Sequence, residues 1–179
     1  NYKGSLASPG YSYEYIGGAA THVIIPNEVM EMDCLLPYNG EAFFLGSLAE
    51  PMSCIVGAYH ASYHTTSGSY VHDMGIVDGG NLAILAGAGP MGFGAIDYAL
   101  NADRRPKLLV VTDIDAERLE RAASIFTPED ALKKGIRLEY VNTATMENSE
   151  EYIYSLTDGK GYDDVHVYAP VRSVIEMAD

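Results

Sequence analysis

The feature that most constrains this chain is a run of glycines set between an apolar strand and an apolar helix. Residues 81–86, NLAILA, read as a buried strand, and Gly87-Ala88-Gly89-Pro90-Met91-Gly92 follows at once, opening a helical stretch that runs to about Asn101. A GxGxxG turn in that place asks something different of each glycine. Gly87 allows the tight turn, Gly89 lets a pyrophosphate approach the backbone, and Gly92 lets the helix pack close to the sheet. The amides at the helix start present a partial positive charge, so an anion can be held there without lysine. Glycines gather in turns for other reasons, and the bare motif also fits an unoccupied structural turn.

The context separates these readings. A second apolar run, KLLVVTD at 107–113, ends on Asp113, about 20 residues past the last glycine, where a dinucleotide fold places the carboxylate that receives the adenosine ribose hydroxyls. A carboxylate there repels an added 2′-phosphate, which favours NAD(H) over NADP(H). Asp115 competes for the same role. Arg118 lies close enough to modify the local charge, or is a surface helix residue paired with Glu117 or Glu120. The candidate cofactor contacts are therefore Gly87, Gly89, Pro90, Met91, Gly92, Asp113 and Arg118.

Beyond the glycine turn the sequence keeps alternating apolar runs with helical patterns: a helix over about 116–125, the run RLEYVNT with a helix near 148–157, and DDVHVYA with a helix after Pro170. Four strand–helix units imply an α/β fold with a parallel sheet and right-handed crossovers, a partial Rossmann-type domain. Upstream the pattern differs. Tyr11, Tyr13 and Tyr15 alternate as in an extended segment, ATHVIIP at 20–26 reads as a strand, and the region to Gly46 reads as small-sheet material. A helix is expected over 47–65, with Leu48, Met52, Ile55, Val56 and Tyr59 three or four residues apart, then a loop over 67–80.

With 25 acidic against 11 basic residues the formal charge is −14, which argues against nucleic acid as a partner. Cys34 and Cys54 form no disulfide framework, and no run approaches the length of a membrane span or a secretory signal, so a cytoplasmic protein without membrane contact is expected. Cys54 reads as buried rather than nucleophilic. His60 and His64, four apart, read as packed or solvent-facing rather than as metal ligands.

Taken together, GGAATHVIIP at 17–26, SLAEPMSCIVGAYHA at 47–61, the glycine turn and VVTDIDAERLERA at 110–122 resemble the zinc-type medium-chain dehydrogenase/reductase family, and within it the sorbitol dehydrogenase branch. A finer resemblance, to the L-sorbose 1-phosphate reductases of that branch, rests on residues 11–37 and on GYDDVHVYAP. The resemblance implies part of a GroES-like, β-rich catalytic domain over 1–54, followed by the N-terminal part of a Rossmann domain over 55–179. It implies a homodimer or homotetramer that moves a hydride between nicotinamide and a polyol, secondary alcohol, ketone or sugar phosphate. It also implies Zn2+ in the intact enzyme, with Glu50, the glutamate of the EP motif, as the catalytic residue at that metal, a ligand directly or through water. Read by itself, Glu50 at a helix start is equally a capping or dipole-compensating carboxylate.

The family's earlier metal-binding cysteine, its His-Glu pair and its four-cysteine zinc loop have no counterpart here, so the chain reads as an excerpt of a longer protein. Three alternatives stand beside the dehydrogenase: a zinc-free quinone-type reductase, a dinucleotide-binding module without chemistry, and a SAM-binding domain, to which the EP helix is ill suited.

Overall fold

The computed structural model describes residues 20–179, so the extended segment expected at 11–15 lies outside the described residues. The chain divides at Gly46 and Ser47 into two compact units. In the first, residues 20–46 hold two short helices, α1 (Asn27–Glu31) and α2 (Phe43–Gly46). The strand expected at 20–26 does not form. Its Val23 and Ile24 are exposed, no described strand of this unit is there to pair with them, and Pro26 instead becomes the extended residue that starts α1.

The second unit begins with α3 (Ala49–Ala61), which ends where Ser62 turns extended. Residues 63–80, expected to continue the helix and then loop, instead contain a hairpin of β1 (Tyr63–Thr65) and β2 (His72–Met74), paired antiparallel. Three-residue strands with mostly exposed side chains carry no apolar alternation to announce them. Then follow β3 (Asn81–Leu85), α4 (Pro90–Asn101), β4 (Leu108–Asp113), α5 (Ala116–Ile125), α6 (Pro128–Lys133), β5 (Arg137–Asn142), α7 (Ser149–Ser155), β6 (Asp164–Val167) and α8 (Arg172–Ala178).

The sheet runs β5-β4-β3-β6 and every pairing is parallel. From β3 the chain steps outward twice, then returns past its start to lay β6 on the other side of β3. Ligands of doubly wound sheets bind at the carboxyl end of such a reversal, and here that end carries the glycine turn. Alternation along the strands divides the core between two faces. Leu82, Ile84, Leu109, Val111 and Leu138 pack with Ile55, Tyr59, Ala95, Ile96 and Ala99, while Leu108, Val110, Val141 and Ile153 form the opposite layer. Every residue of β3 and β4 is buried, and each large side chain so enclosed stabilises the fold by about 1.5–3 kcal/mol relative to exposure.

Candidate dinucleotide-binding site

The glycine turn is fixed by crowding in two places and open in a third. A Cβ on Gly92 would fall on the carbonyl of Gly87, and one on Gly87 would meet the Ile84 side chain and lie 3.3 Å from Val111 Cγ1. These two positions have no room for a side chain. At Gly89, by contrast, an added Cβ would meet nothing within 4 Å, and its φ of −91° and ψ of 178° are ordinary extended backbone. The absence of a side chain at Gly89 therefore serves neither packing nor backbone strain. It leaves empty space against the backbone, as a ligand needs.

That space faces the start of α4. Gly89 is the N-cap and supplies no side-chain cap, and Pro90 occupies the first turn, where a missing N–H costs nothing. No acidic side chain stands in that turn, so the partial positive charge of a 12-residue helix is not neutralised locally. Met91, on the first turn, is 37% exposed. Just before the turn, Ala86 takes φ 53°, an uncommon conformation for alanine that reverses the chain out of β3.

β4 braces the turn from beside it. The Gly87 amide donates to the Thr112 carbonyl at 2.8 Å, the Ala86 amide to Thr112 Oγ1 at 3.2 Å, and the Ala88 amide to Asp113 Oδ2 at 3.0 Å. The Asp113 carboxylate is 6% exposed, and its other oxygen accepts the amides of Ile114 and Asp115 at 2.9 and 3.1 Å. Three of its roughly four acceptor sites are thus taken by backbone. The residue expected only to receive a ribose also ties the glycine turn to the neighbouring strand, and one acceptor direction on Oδ2 remains.

Asp115 has a different task. It caps α5, accepting the Arg118 amide at 3.1 Å, and its other oxygen meets Arg118 Nε at 3.3 Å. Arg118 therefore pairs with the capping aspartate rather than with Glu117 or Glu120, in a solvent-exposed pair of small energetic weight.

α3 and α4 run in the same direction. Met52 and Ile55 lie against Gly94, Tyr59 reaches Ala95, and His60 meets Tyr98, so partners advance together along both helices. Glu50, in the first turn of α3, accordingly sits at the glycine-turn end of this helix pair. Its carboxylate accepts the Cys54 thiol at 3.4 Å, and that hydrogen bond and the carboxylate charge hold the thiol above its ordinary pKa. Cys54, expected to be buried, is exposed. Among the described residues no group of three His, Cys, Asp or Glu is arranged to hold a metal ion. One carboxylate and one protonated thiol do not fit a complete zinc site.

His60 and His64, four residues apart, do not lie on one helix. α3 stops at Ala61, so His60 hydrogen bonds with Tyr98 at 3.0 Å while His64, on β1, meets Asp164 of β6 at 3.1 Å. Asp164 Oδ2 also accepts the Val77 amide at 2.8 Å. His166 contacts Ser62 Oγ at 3.3 Å through Nε2, presents its ring to Tyr59, and leaves Nδ1 buried without a partner. Burial lowers its pKa. This network, which joins the hairpin to the sheet, was not legible in the sequence, since its partners lie about 100 residues apart.

The strand order and the glycine turn define this unit as a Rossmann-type dinucleotide fold in part. In agreement, an alcohol dehydrogenase zinc-binding domain protein from Burkholderia ambifaria superposes with a TM-score of 0.50 over 80% of this chain and 32% of its own, at 17% identity. No family model matches the chain. Over 172 residues, 96% of its length, the chain is 57% identical to mannitol-1-phosphate 5-dehydrogenase of Aliivibrio fischeri, of which it covers 41%. It is 46% identical over 170 residues to L-sorbose 1-phosphate reductase of Klebsiella pneumoniae, covering 95% of this chain and 40% of that protein. The chain thus spans about two fifths of the length of the curated relatives it matches.

Proposed function

We propose that this chain is part of an NAD(H)-dependent oxidoreductase acting on a polyol or sugar phosphate, and that it carries the nucleotide-binding turn. The observation that carries the reading is the contrast within the glycine turn, where Gly87 and Gly92 are closed by their neighbours and Gly89 alone is open. A pyrophosphate would rest at Gly89, Pro90 and Met91 against the uncapped start of α4. The adenosine ribose would turn its hydroxyls to the remaining acceptor of Asp113, with Arg118 alongside. A second negative group at the 2′ position would face that same buried carboxylate, which favours NAD(H) over NADP(H). When bound, the nicotinamide supplies or accepts the hydride.

The substrate class follows the names of the relatives, one a mannitol-1-phosphate dehydrogenase and one an L-sorbose 1-phosphate reductase. The assignment of 1–54 to a catalytic domain and 55–179 to the nucleotide domain belongs to the same reading, as do a homodimeric or homotetrameric assembly and a cytoplasmic location. No helix among the described residues is long and apolar enough to cross a membrane. Zn2+ enters as a component of the intact protein to which Glu50 would give one oxygen, and the donors beside Glu50 do not complete that site.

The test is NADH-linked turnover by the natively expressed protein with mannitol 1-phosphate and L-sorbose 1-phosphate, together with its zinc content. Turnover of either compound, faster with the NAD(H) than with the NADP(H) couple, is the expected result. NADH binding without turnover or metal would point to a non-catalytic module, and turnover without zinc to a zinc-free reductase.

A further inference from the structure

Gly94 belongs to none of the positions that hold the dinucleotide, yet it is crowded, as Gly87 and Gly92 are. A Cβ there would lie 2.5 Å from Ile55 Cδ1 and 3.1 Å from Met52 Sδ, both on α3. Ile55 is 2% exposed and enclosed by the core, so its terminal methyl has little space into which to turn. Farther along the pair, Tyr59, also 2% exposed, donates its hydroxyl to the Ala95 carbonyl at 2.8 Å and meets Tyr98 edge-on at 5.0 Å. The two helices are thus held at one separation by a missing side chain at Gly94 and by a buried hydrogen bond from Tyr59 to the neighbouring Ala95 carbonyl.

This contact lies within about two helical turns of both functional ends. On α4, Gly94 follows Gly92 by two residues, and on α3, Met52 and Ile55 follow Glu50 by two and five. The glycine turn has its own fastenings to β4, through Thr112 and Asp113. A displacement of α3 therefore moves Glu50 while leaving the nucleotide seat in place.

We infer that Gly94 is a positioning residue: its bare backbone sets the approach of α3 to α4 and so fixes the Glu50 carboxylate at one offset from the dinucleotide turn. Tyr59 maintains the same approach through the carbonyl next to Gly94. The inference rests on the dinucleotide and Glu50 reading given above, and it adds a residue whose effect falls on turnover rather than on cofactor affinity.

The test uses the natively expressed protein, with Gly94→Ala, Gly94→Ala combined with Ile55→Val, Ile55→Val alone, and Tyr59→Phe. For each, the NADH Kd is read from cofactor fluorescence, kcat from turnover of mannitol 1-phosphate or L-sorbose 1-phosphate, and folding from a thermal melt. In Gly94→Ala, kcat is expected to fall about tenfold or more, since a misplacement near 1 Å can cost about 100-fold, while the NADH Kd stays within about twofold. Ile55→Val deletes the methyl that the new Cβ meets, so in the double variant kcat should return to within about threefold of the parent, and the single Ile55→Val should stay close to it.

A cooperatively melting Gly94→Ala with unchanged kcat overturns the inference. So does a loss of NADH affinity as large as the loss of turnover, or a double variant no better than the single one. Should Gly94→Ala fail to fold, Tyr59→Phe decides: a fall in kcat at unchanged NADH Kd supports the inference, and an unchanged kcat overturns it. Parent protein with neither NADH affinity nor turnover refutes the underlying functional reading before any variant is compared.

Discussion

The contrast between Gly89 and Gly92 yields a paired prediction in which stability and binding separate. Alanine at Gly92 would drive its methyl into the backbone of Gly87, with the Cα only 2.7 Å away. Backbone cannot rotate aside as a flexible side chain can, so the cost belongs near the upper end of the 1–3 kcal/mol that overpacking usually carries, about 2–3 kcal/mol. For a chain of this size that lowers the melting temperature by roughly 4–12 °C. Alanine at Gly89 meets nothing within 4 Å and takes a backbone that any residue adopts. It should change stability little, because the unfolded chain becomes less free by about 0.4–1 kcal/mol while alanine is a poorer N-cap than glycine. Its methyl, however, would stand where the pyrophosphate rests, and an NADH Kd weaker by about tenfold or more corresponds to the loss of about 1.4 kcal/mol of contact. Thermal melts and NADH fluorescence titrations on both variants make the comparison. A Gly89→Ala chain that melts normally and binds NADH as tightly as the parent would refute the seat assigned to the phosphate.

Three further outcomes follow from the same geometry. Asp113→Asn replaces an acceptor by an amide in a place where three backbone N–H groups converge, so stability in a urea titration should fall by about 1–3 kcal/mol, and the preference for NADH over NADPH should narrow. Glu50→Ala removes the carboxylate that holds the Cys54 thiol above its usual pKa; at pH 8 the thiol should therefore react faster with a disulfide reagent, and zinc content and turnover of the native protein should both drop. Unchanged zinc and turnover would remove Glu50 from the site. His166 has a folded-state pKa lowered by burial, so the unfolded chain binds the proton more readily. Its neutral form contributes stability that is present above about pH 6.5 and is lost as the pH falls toward the lowered folded value. The other ionisable groups are common to both proteins, so the measurement is the difference in melting temperature between the parent and His166→Gln. That difference should shift against the parent from pH 7 to pH 5, and a constant difference would contradict the argument.

The parallel sheet was legible because its signal is local and strong. Runs such as LLVVT can satisfy their side chains only when buried on both faces, and the glycine turn marks where the first of them ends. The small helix at Pro128–Lys133 and the hairpin at 63–74 were not legible, the first because six residues carry little periodicity and the second because its strands are three residues long. Residues 20–26 show the opposite failure. ATHVIIP has strand composition, but composition cannot supply a partner strand, and Pro26 opens a helix instead.

The site divided in the same way. That Gly87, Gly89, Gly92 and Asp113 gather at one turn could be read from spacing, since turn, strand and helix lie next to one another in the chain. What spacing could not reveal was the bracing of the turn by Asp113, which depends on the Ala88 amide facing the end of the neighbouring strand, or the capture of Arg118 by Asp115. Nor could it place Gly94. A glycine inside a helix costs about 1 kcal/mol against alanine, and only the approach of Ile55 and Met52 shows what that cost secures.

The most direct test of the account is a titration of this chain with NADH, NADPH and S-adenosylmethionine, followed by calorimetry. The account predicts that NADH binds, that NADPH binds more weakly because its 2′-phosphate faces Asp113, and that S-adenosylmethionine does not compete. No affinity for NADH, or a preference for S-adenosylmethionine over it, would contradict the assignment of the glycine turn as a dinucleotide seat.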